Sequence, residues 1–298
     1  MQNILDFNNV STQPVRAHWL PAAITLNVLR LDKIHPIVSG NKWFKLKYYL
    51  EEAKQTGFKT VATFGGAYSN HIIAAAFACK ASGFSSIGII RGERPPVLSS
   101  TLQYAAGYGM QLQFVSRQSF NNKENIKSQF PGVYWIDEGG YGLQGMCGAG
   151  EIMQLVDDAE KYSHIVCAVG TGTMFAGIVR SAAAGQRVIG VSVLKNNFSI
   201  FNEVQALLDK QIIKADFDIV HGYHFGGYAK HPPALIDFMH LVWNTVNLPT
   251  DIVYTAKTLY AIQQLALQNT IPVGNRVLMI HSGGLQGNTS LQKGVLPF

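Results

Sequence analysis

Cysteine is scarce in this chain, with three among 298 residues: Cys79, Cys147 and Cys167. None stands in a CxxC pair or at a metal-ligand spacing, so neither a disulfide framework nor a zinc site is expected. Cys79 falls in an Ala-rich helical pattern and Cys167 in an apolar strand pattern, which makes both core residues. Charge is sparse as well. Charged residues make up 14% and hydrophobic ones 47%, the balance of a compact soluble protein with a sizeable core. No stretch approaches the roughly 18 uncharged apolar residues of a membrane span. The start, Met1 to Asp6, lacks the basic residues and apolar run of a secretory leader, so cytoplasm is the expected compartment.

What charge there is leans positive, 24 Lys plus Arg against 18 Asp plus Glu. The bases are scattered, and no basic run carries interleaved aromatics, so nucleic acid is not an expected partner. A mild positive field suits the phosphates and carboxylates of small molecules. The nine histidines include no HxxxH pair, and no metal is expected.

Short apolar segments alternate with helical patterns along the chain. Strands are expected at 59–64, 86–90, 111–115, 133–136, 164–169, 187–193 and 277–280. Helices are expected at 71–82, 99–108, 151–162, 174–184, 200–208, 232–243 and 255–268. The region 130–150 is Gly-rich and without pattern, which suits a crossing between two units. Such alternation argues for an α/β fold with parallel sheets covered on both faces, where ligands bind at the carboxyl ends of strands.

Several turns follow strands or open helices and carry polar side chains. Ser39-Gly40-Asn41-Lys42-Trp43-Phe44-Lys45-Leu46-Lys47 sets a lysine at the start of a helix-like segment. Shielded from water, Lys42 is a candidate amine nucleophile for a carbonyl. Phe64-Gly65-Gly66-Ala67-Tyr68-Ser69-Asn70-His71 ends a strand at a helix N-terminus, where free N–H groups suit a carboxylate. Lys42, Lys45 and Lys47 also fit the solvated face of a helix, and Ser69 or Asn70 a plain N-cap. Gly170-Thr171-Gly172-Thr173 offers backbone and hydroxyl donors to a phosphate. It lacks the lysine of a P-loop and the spacing of GxGxxG, and a tight capped turn is the competing reading. His281-Ser282-Gly283-Gly284 follows the last strand and would admit a flat ligand beside the Ser282 hydroxyl. Tyr228 and Tyr254 are candidate cleft aromatics, although tyrosines more often pack half-buried.

In order and spacing these segments resemble the fold-type II pyridoxal phosphate enzymes, specifically the aminocyclopropane-carboxylate deaminase and D-cysteine desulfhydrase group, from about Leu29 to the C-terminus. Gly40-Asn41-Lys42-x-x-Lys45-Leu46 is similar to the group's lysine motif, which implies pyridoxal 5'-phosphate held as a Schiff base on Lys42. Ser69-Asn70-His71 matches the substrate segment, with Asn70 along the ring. The turn Gly170, Thr171, Gly172 and Thr173 corresponds to the phosphate loop. Tyr228 and Tyr254 correspond to two active-site tyrosines, and Ser282 or Thr255 to the hydroxyl near the pyridine nitrogen. Tyr68, Ser69, Asn70 and His71 are then the candidate substrate-binding residues.

The resemblance implies two three-layer α/β/α domains with mostly parallel open sheets, tryptophan synthase β-like. The larger, cofactor-binding domain would take residues 1–42 and 151–298, and the smaller 43–150. A homodimer is implied on the same ground. Thr255 stands where the deaminases carry an acidic residue, Met174 where many relatives carry Thr, and Gly142 where Asn is common. The first departure points to β-elimination from a small amino acid such as D-cysteine, giving keto acid, ammonia and sulfide, with Lys42 or Ser69 as base. Deamination of aminocyclopropane carboxylate is the alternative, followed by a racemase or D-serine lyase. A non-catalytic binder of the cofactor or an amino acid is the alternative of another class.

Overall fold

The computed structural model describes residues 5–22 and 24–298. Up to the middle of the chain the elements are β1 (Thr12–Val15), β2 (Thr25–Arg30), α1 (Lys42–Gln55), β3 (Thr60–Gly65), α2 (Asn70–Ser82), β4 (Ser85–Arg91), α3 (Ser100–Gly107), β5 (Met110–Val115), α4 (Arg117–Phe120), α5 (Lys123–Lys127), β6 (Tyr134–Ile136) and α6 (Leu143–Gly150). Then come β7 (His164–Val169), α7 (Thr173–Ser181), β8 (Arg187–Ser192), α8 (Ile200–Leu208), β9 (Asp216–Val220), α9 (Pro233–Val246), α10 (Thr255–Leu267) and β10 (Arg276–His281).

These strands form two sheets. The larger runs β1-β2-β10-β7-β8-β9 and the smaller β5-β4-β3-β6. Among the described residues, only the β1–β2 pair is antiparallel and every other pairing is parallel. All six residues of β7 are buried, as a central parallel strand covered on both faces requires. Helix α7 packs on β7 and β8, and α10 on β7, β8 and β10. This is the expected architecture of mostly parallel open sheets. Cys79 and Cys167 are both buried, and burial pushes each thiol up to about 12.

The helix expected over 151–162 does not form. Two short 3-10 turns, Glu151–Leu155 and Ala159–Lys161, occupy it instead. The helix lies upstream, as α6, in the region read as patternless. Its glycines explain both the miss and the fold. A Cβ on Gly148 would lie 1.9 Å from the Phe44 carbonyl oxygen of α1, and one on Gly177 of α7 would lie 2.5 Å from that of Met146. Three helices approach backbone to backbone here, and tertiary packing outweighs the poor helix propensity of glycine. Strands β1, β2 and β9 were also outside the expected set. In β2, Thr25 and Asn27 interrupt the apolar run, and Asn27 donates to the Tyr162 hydroxyl at 2.7 Å.

Candidate active site

Two turns set the position of Lys42. Gly40, two residues before it, has a φ of +74°, and a Cβ there would meet the Ser282 carbonyl oxygen at 1.8 Å. Across the contact, a Cβ on Gly283 would lie 2.7 Å from the Cα of Gly40. Only glycine lets these two backbones touch. Asn41 N–H then donates to the Ser282 carbonyl at 3.1 Å, which ties the start of α1 to the end of β10.

The Lys42 amine donates to Asn41 Oδ1 at 3.0 Å and lies 5.9 Å from the centre of the Tyr254 ring. Burial lowers its pKa to about 8, against the opposing pull of the Asp251 carboxylate. With a pKa of about 8 the amine is still mostly protonated at neutral pH, but it gives up its proton far more readily than a surface lysine. The Asn41 amide is held from its other end, where Nδ2 donates to Met174 Sδ at 3.0 Å. Met174 therefore acts on Lys42 through Asn41. Gly142 has an equally local cause, since a Cβ there would meet the Tyr49 hydroxyl at 2.2 Å.

One turn along α1, buried Lys45 donates from Nζ to Thr171 Oγ1 at 3.2 Å. Burial, and then the charge of Lys42, push its pKa well below 10.5. The Thr171 and Thr173 hydroxyls lie 3.1 Å apart where β7 turns into α7. The Tyr254 ring lies over Gly170, where even a methyl group would touch it at 3.4 Å. Tyr228 meets Tyr254 edge to face, with ring centres 6.4 Å apart. Burial raises the Tyr254 phenol well above 10, and its hydrogen bond to Tyr228 adds to the effect.

Across the cleft, Ser69 caps α2, and its hydroxyl accepts from Ile72 N–H at 3.4 Å. Asn70 reaches the β10 turn, so that a Cβ on Gly284 would lie 2.9 Å from Asn70 Nδ2. Tyr68 is 51% exposed. His71 is buried and engaged elsewhere. Thr63 Oγ1 donates to the Ile136 carbonyl at 2.8 Å and so accepts from His71 Nε2–H, also at 2.8 Å. That leaves His71 Nδ1 buried without a partner. Burial, then Lys42 and Lys45, hold its pKa well below 6.5, so the ring is neutral.

Asp251 is fully buried and caps α10. It accepts from the N–H groups of Val253, Tyr254 and Thr255 at 2.8, 2.9 and 2.8 Å, and from Thr255 Oγ1 at 2.6 Å. Thr255 Oγ1 also accepts from Asp251 N–H at 2.6 Å. Both capacities of the Thr255 hydroxyl are thus largely committed. Among the described residues, the Ser282 hydroxyl has no side-chain partner.

The profile of the pyridoxal-phosphate dependent enzyme family matches residues 10–283. This chain belongs to that family. A protein of Pyrococcus abyssi, provisionally named 1-aminocyclopropane-1-carboxylate deaminase, is 30% identical over 275 residues, 84% of this chain and 81% of its own. The bifunctional D-cysteine desulfhydrase/1-aminocyclopropane-1-carboxylate deaminase of Arabidopsis thaliana, named as mitochondrial, is 28% identical over 297 residues, 90% of this chain and 74% of its own. A crystal structure of an ACC deaminase homologue superposes with a TM-score of 0.78 at 22% identity, covering 94% of this chain and 90% of that one. A hydrogen sulfide-producing enzyme of Fusobacterium nucleatum gives 0.69 at 12%, covering 95% and 97%. The two structures speak for the fold alone.

As a pyridoxal-phosphate dependent enzyme, the chain should carry a site suited to that cofactor, and its residues fit. Among the described residues, buried polar atoms without partners include Ser39 Oγ and Asn70 Oδ1, whose side chains lie against Gly283 and Gly284 in the turn after β10. Left unsatisfied, such atoms are costly, and a polar ligand relieves them. Lys45, Thr171 and Thr173 could supply donors for a phosphate, and Lys42 an amine for an aldehyde. Lys45 and Asp251 were not among the residues singled out from sequence. Lys45 stood in the motif of Lys42 without a role, whereas Asp251 had no local signal, because its meaning depends on the turn it caps.

Proposed function

We propose that this enzyme catalyses β-elimination on a small amino acid, with D-cysteine as substrate and keto acid, ammonia and sulfide as products. The observation that carries the reading is the state of Thr255. The family group's deaminases carry an acid at this point, whereas here the position is a hydroxyl engaged with buried Asp251. When bound, pyridoxal phosphate supplies an aldehyde for the substrate amine and an electron sink for charge at the α-carbon.

The chain's own residues do the rest. Lys45 and the Gly170–Thr173 turn hold the phosphate, Asn70 lines the ring, and Ser282 offers the hydroxyl for the pyridine nitrogen. Ser69 and Asn70, at the N-terminus of α2, receive the substrate carboxylate, while Tyr68 borders them. His71, held by Thr63, supports this turn from behind. Lys42 Nζ, with its lowered pKa, takes the α-proton, and Ser69 Oγ is the second candidate for that step. Tyr228 and Tyr254 keep their phenol protons at neutral pH and can donate to a departing thiolate.

Deamination of 1-aminocyclopropane-1-carboxylate is the second reading, favoured by the names of the relatives. Met174 and Gly142 gave room to a non-catalytic binder, and each has a local structural reason that leaves the site intact. Assembly as a homodimer and a cytoplasmic location belong to the same proposal. Among the described residues, no helix is long and apolar enough to cross a membrane.

The test is to load the protein with pyridoxal phosphate, reduce with borohydride and map the labelled peptide. Sulfide and keto-acid release from D-cysteine are then compared with keto-acid release from aminocyclopropane carboxylate. Label on Lys42 with sulfide release supports the reading. Release of keto acid from the cyclopropane alone would transfer the assignment to the deaminase.

A further inference from the structure

Between β9 and α9 lies a turn in an unusual backbone state. Phe225, Gly226, Gly227 and Ala229 have φ values of +51°, +94°, +121° and +53°. Left-handed geometry is natural for the glycines but unfavourable for Phe225 and Ala229, so surrounding contacts must hold it. Some are local. His224 Nδ1 accepts from Gly226 N–H at 3.0 Å, and Lys230 N–H donates to the Gly227 carbonyl at 3.2 Å. Phe225 is pinned edge to face on Tyr260, with ring centres 4.9 Å apart.

One contact comes from outside the turn. Lys257 is 0% exposed, and its ammonium donates to the same Gly227 carbonyl at 2.7 Å. Among the described residues it makes no ion pair. Burying a lysine against a peptide carbonyl is unfavourable, and a Met or Leu would fill the same buried position at lower cost. What the ammonium secures is the position of that carbonyl.

The residue after Gly227 is Tyr228. It is 47% exposed, yet its ring edge rests on Tyr254, the N-cap residue of α10, three positions before Lys257. The first turn of α10 thus grips the segment twice, at the Gly227 carbonyl and at the Tyr228 ring.

We infer that Lys257 is a positioning residue whose hydrogen bond to the Gly227 carbonyl holds the strained Phe225–Ala229 turn, and with it Tyr228, against Tyr254 over the site. The inference rests on the reading of Tyr228 and Tyr254 given above. Without the anchor the strained turn relaxes and Tyr228 leaves its place.

The test uses the pyridoxal-phosphate-loaded enzyme with Lys257→Met and Lys257→Gln. Amide hydrogen exchange over Gly226–Lys230 should become at least tenfold faster in Lys257→Met, with β7 and the second half of α10 unchanged. Lys257→Gln, one atom shorter but still a donor, should lie between it and wild type. Unaltered exchange in Lys257→Met, or in Lys257→Gln should the first variant not fold, overturns the inference. In kcat/KM for D-cysteine, combining Lys257→Met with Tyr228→Phe should cost no more than the larger single loss, because both act through one phenol. Fully additive losses would overturn it as well. Absence of D-cysteine turnover in wild type would instead remove the reading of the reaction, and hydrogen exchange would still decide the anchor.

Discussion

Lys42 and Lys257 make an instructive pair. Both stand in the first turn of a helix, Lys42 partly and Lys257 fully buried, desolvation lowers both to a pKa of about 8, and Asp251 opposes the shift in both. Their partners differ. The Lys42 amine rests on a side-chain amide, Asn41 Oδ1, which can be left without breaking any backbone structure. The Lys257 amine is committed to the Gly227 carbonyl, which it serves as an anchor. A depressed lysine pKa therefore does not by itself mark a nucleophile; what the N–H groups are committed to and the accessible space around the amine do.

The sharpest way to break this comparison is to remove each amine in turn. Lys42→Ala should lose about 10³-fold or more in turnover and all borohydride-stable label, whereas Lys257→Ala should keep its label on Lys42. Label moving to another lysine in the first variant would end the distinction. Lys45→Met comes next. Loss of a charged donor to the phosphate should raise the cofactor dissociation constant about 10- to 100-fold in a spectral titration. At saturating cofactor the label should still fall on Lys42.

The pH dependence of stability separates the two lysines from ordinary surface ones. Each has a folded-state pKa of about 8 against 10.5 for the exposed group. The unfolded chain thus binds more protons between those values, and the stability of the cofactor-free protein should rise with pH across that window. Lys257→Met should remove only part of that rise in denaturant titrations at pH 8 and above, with Lys42 and buried Lys45 supplying the rest. A slope identical to wild type would contradict the assignment. The smallest effect is expected for Met174→Leu, which deletes the sulfur acceptor behind Asn41 while conserving volume. A fall of about threefold in the rate of cofactor capture, with unchanged Tm, would fit loss of one weak hydrogen bond.

Much of this organisation was legible in the residue order. Strand β7 and helix α8 lie where their patterns put them, because a continuous apolar strand and an amphipathic helix carry their signals locally. The lysine motif and the Gly170–Thr173 turn, proposed above as cofactor-binding, are legible for the same reason. Helix α6 was not, since its glycines speak against a helix until α1 and α7 are seen pressing on it. His71 stood in the right segment, but its pairing with Thr63 depends on β3 lying beneath α2. Asp251 gave no signal at all.

By itself, the sequence determined the alternation of strands and helices and the family, and it pointed to Lys42 and the turn of Gly170 to Thr173 as proposed site residues, since each is written in contiguous residues and their spacing. The tertiary structure alone decided that Gly40 touches Ser282, that Lys45 reaches Thr171, that Asp251 occupies the Thr255 hydroxyl, and that two lysines 215 positions apart in kind-alike settings serve different ends. These are contacts between segments far apart along the chain. Their energies depend on close approach and exclusion of water, neither of which local pattern encodes.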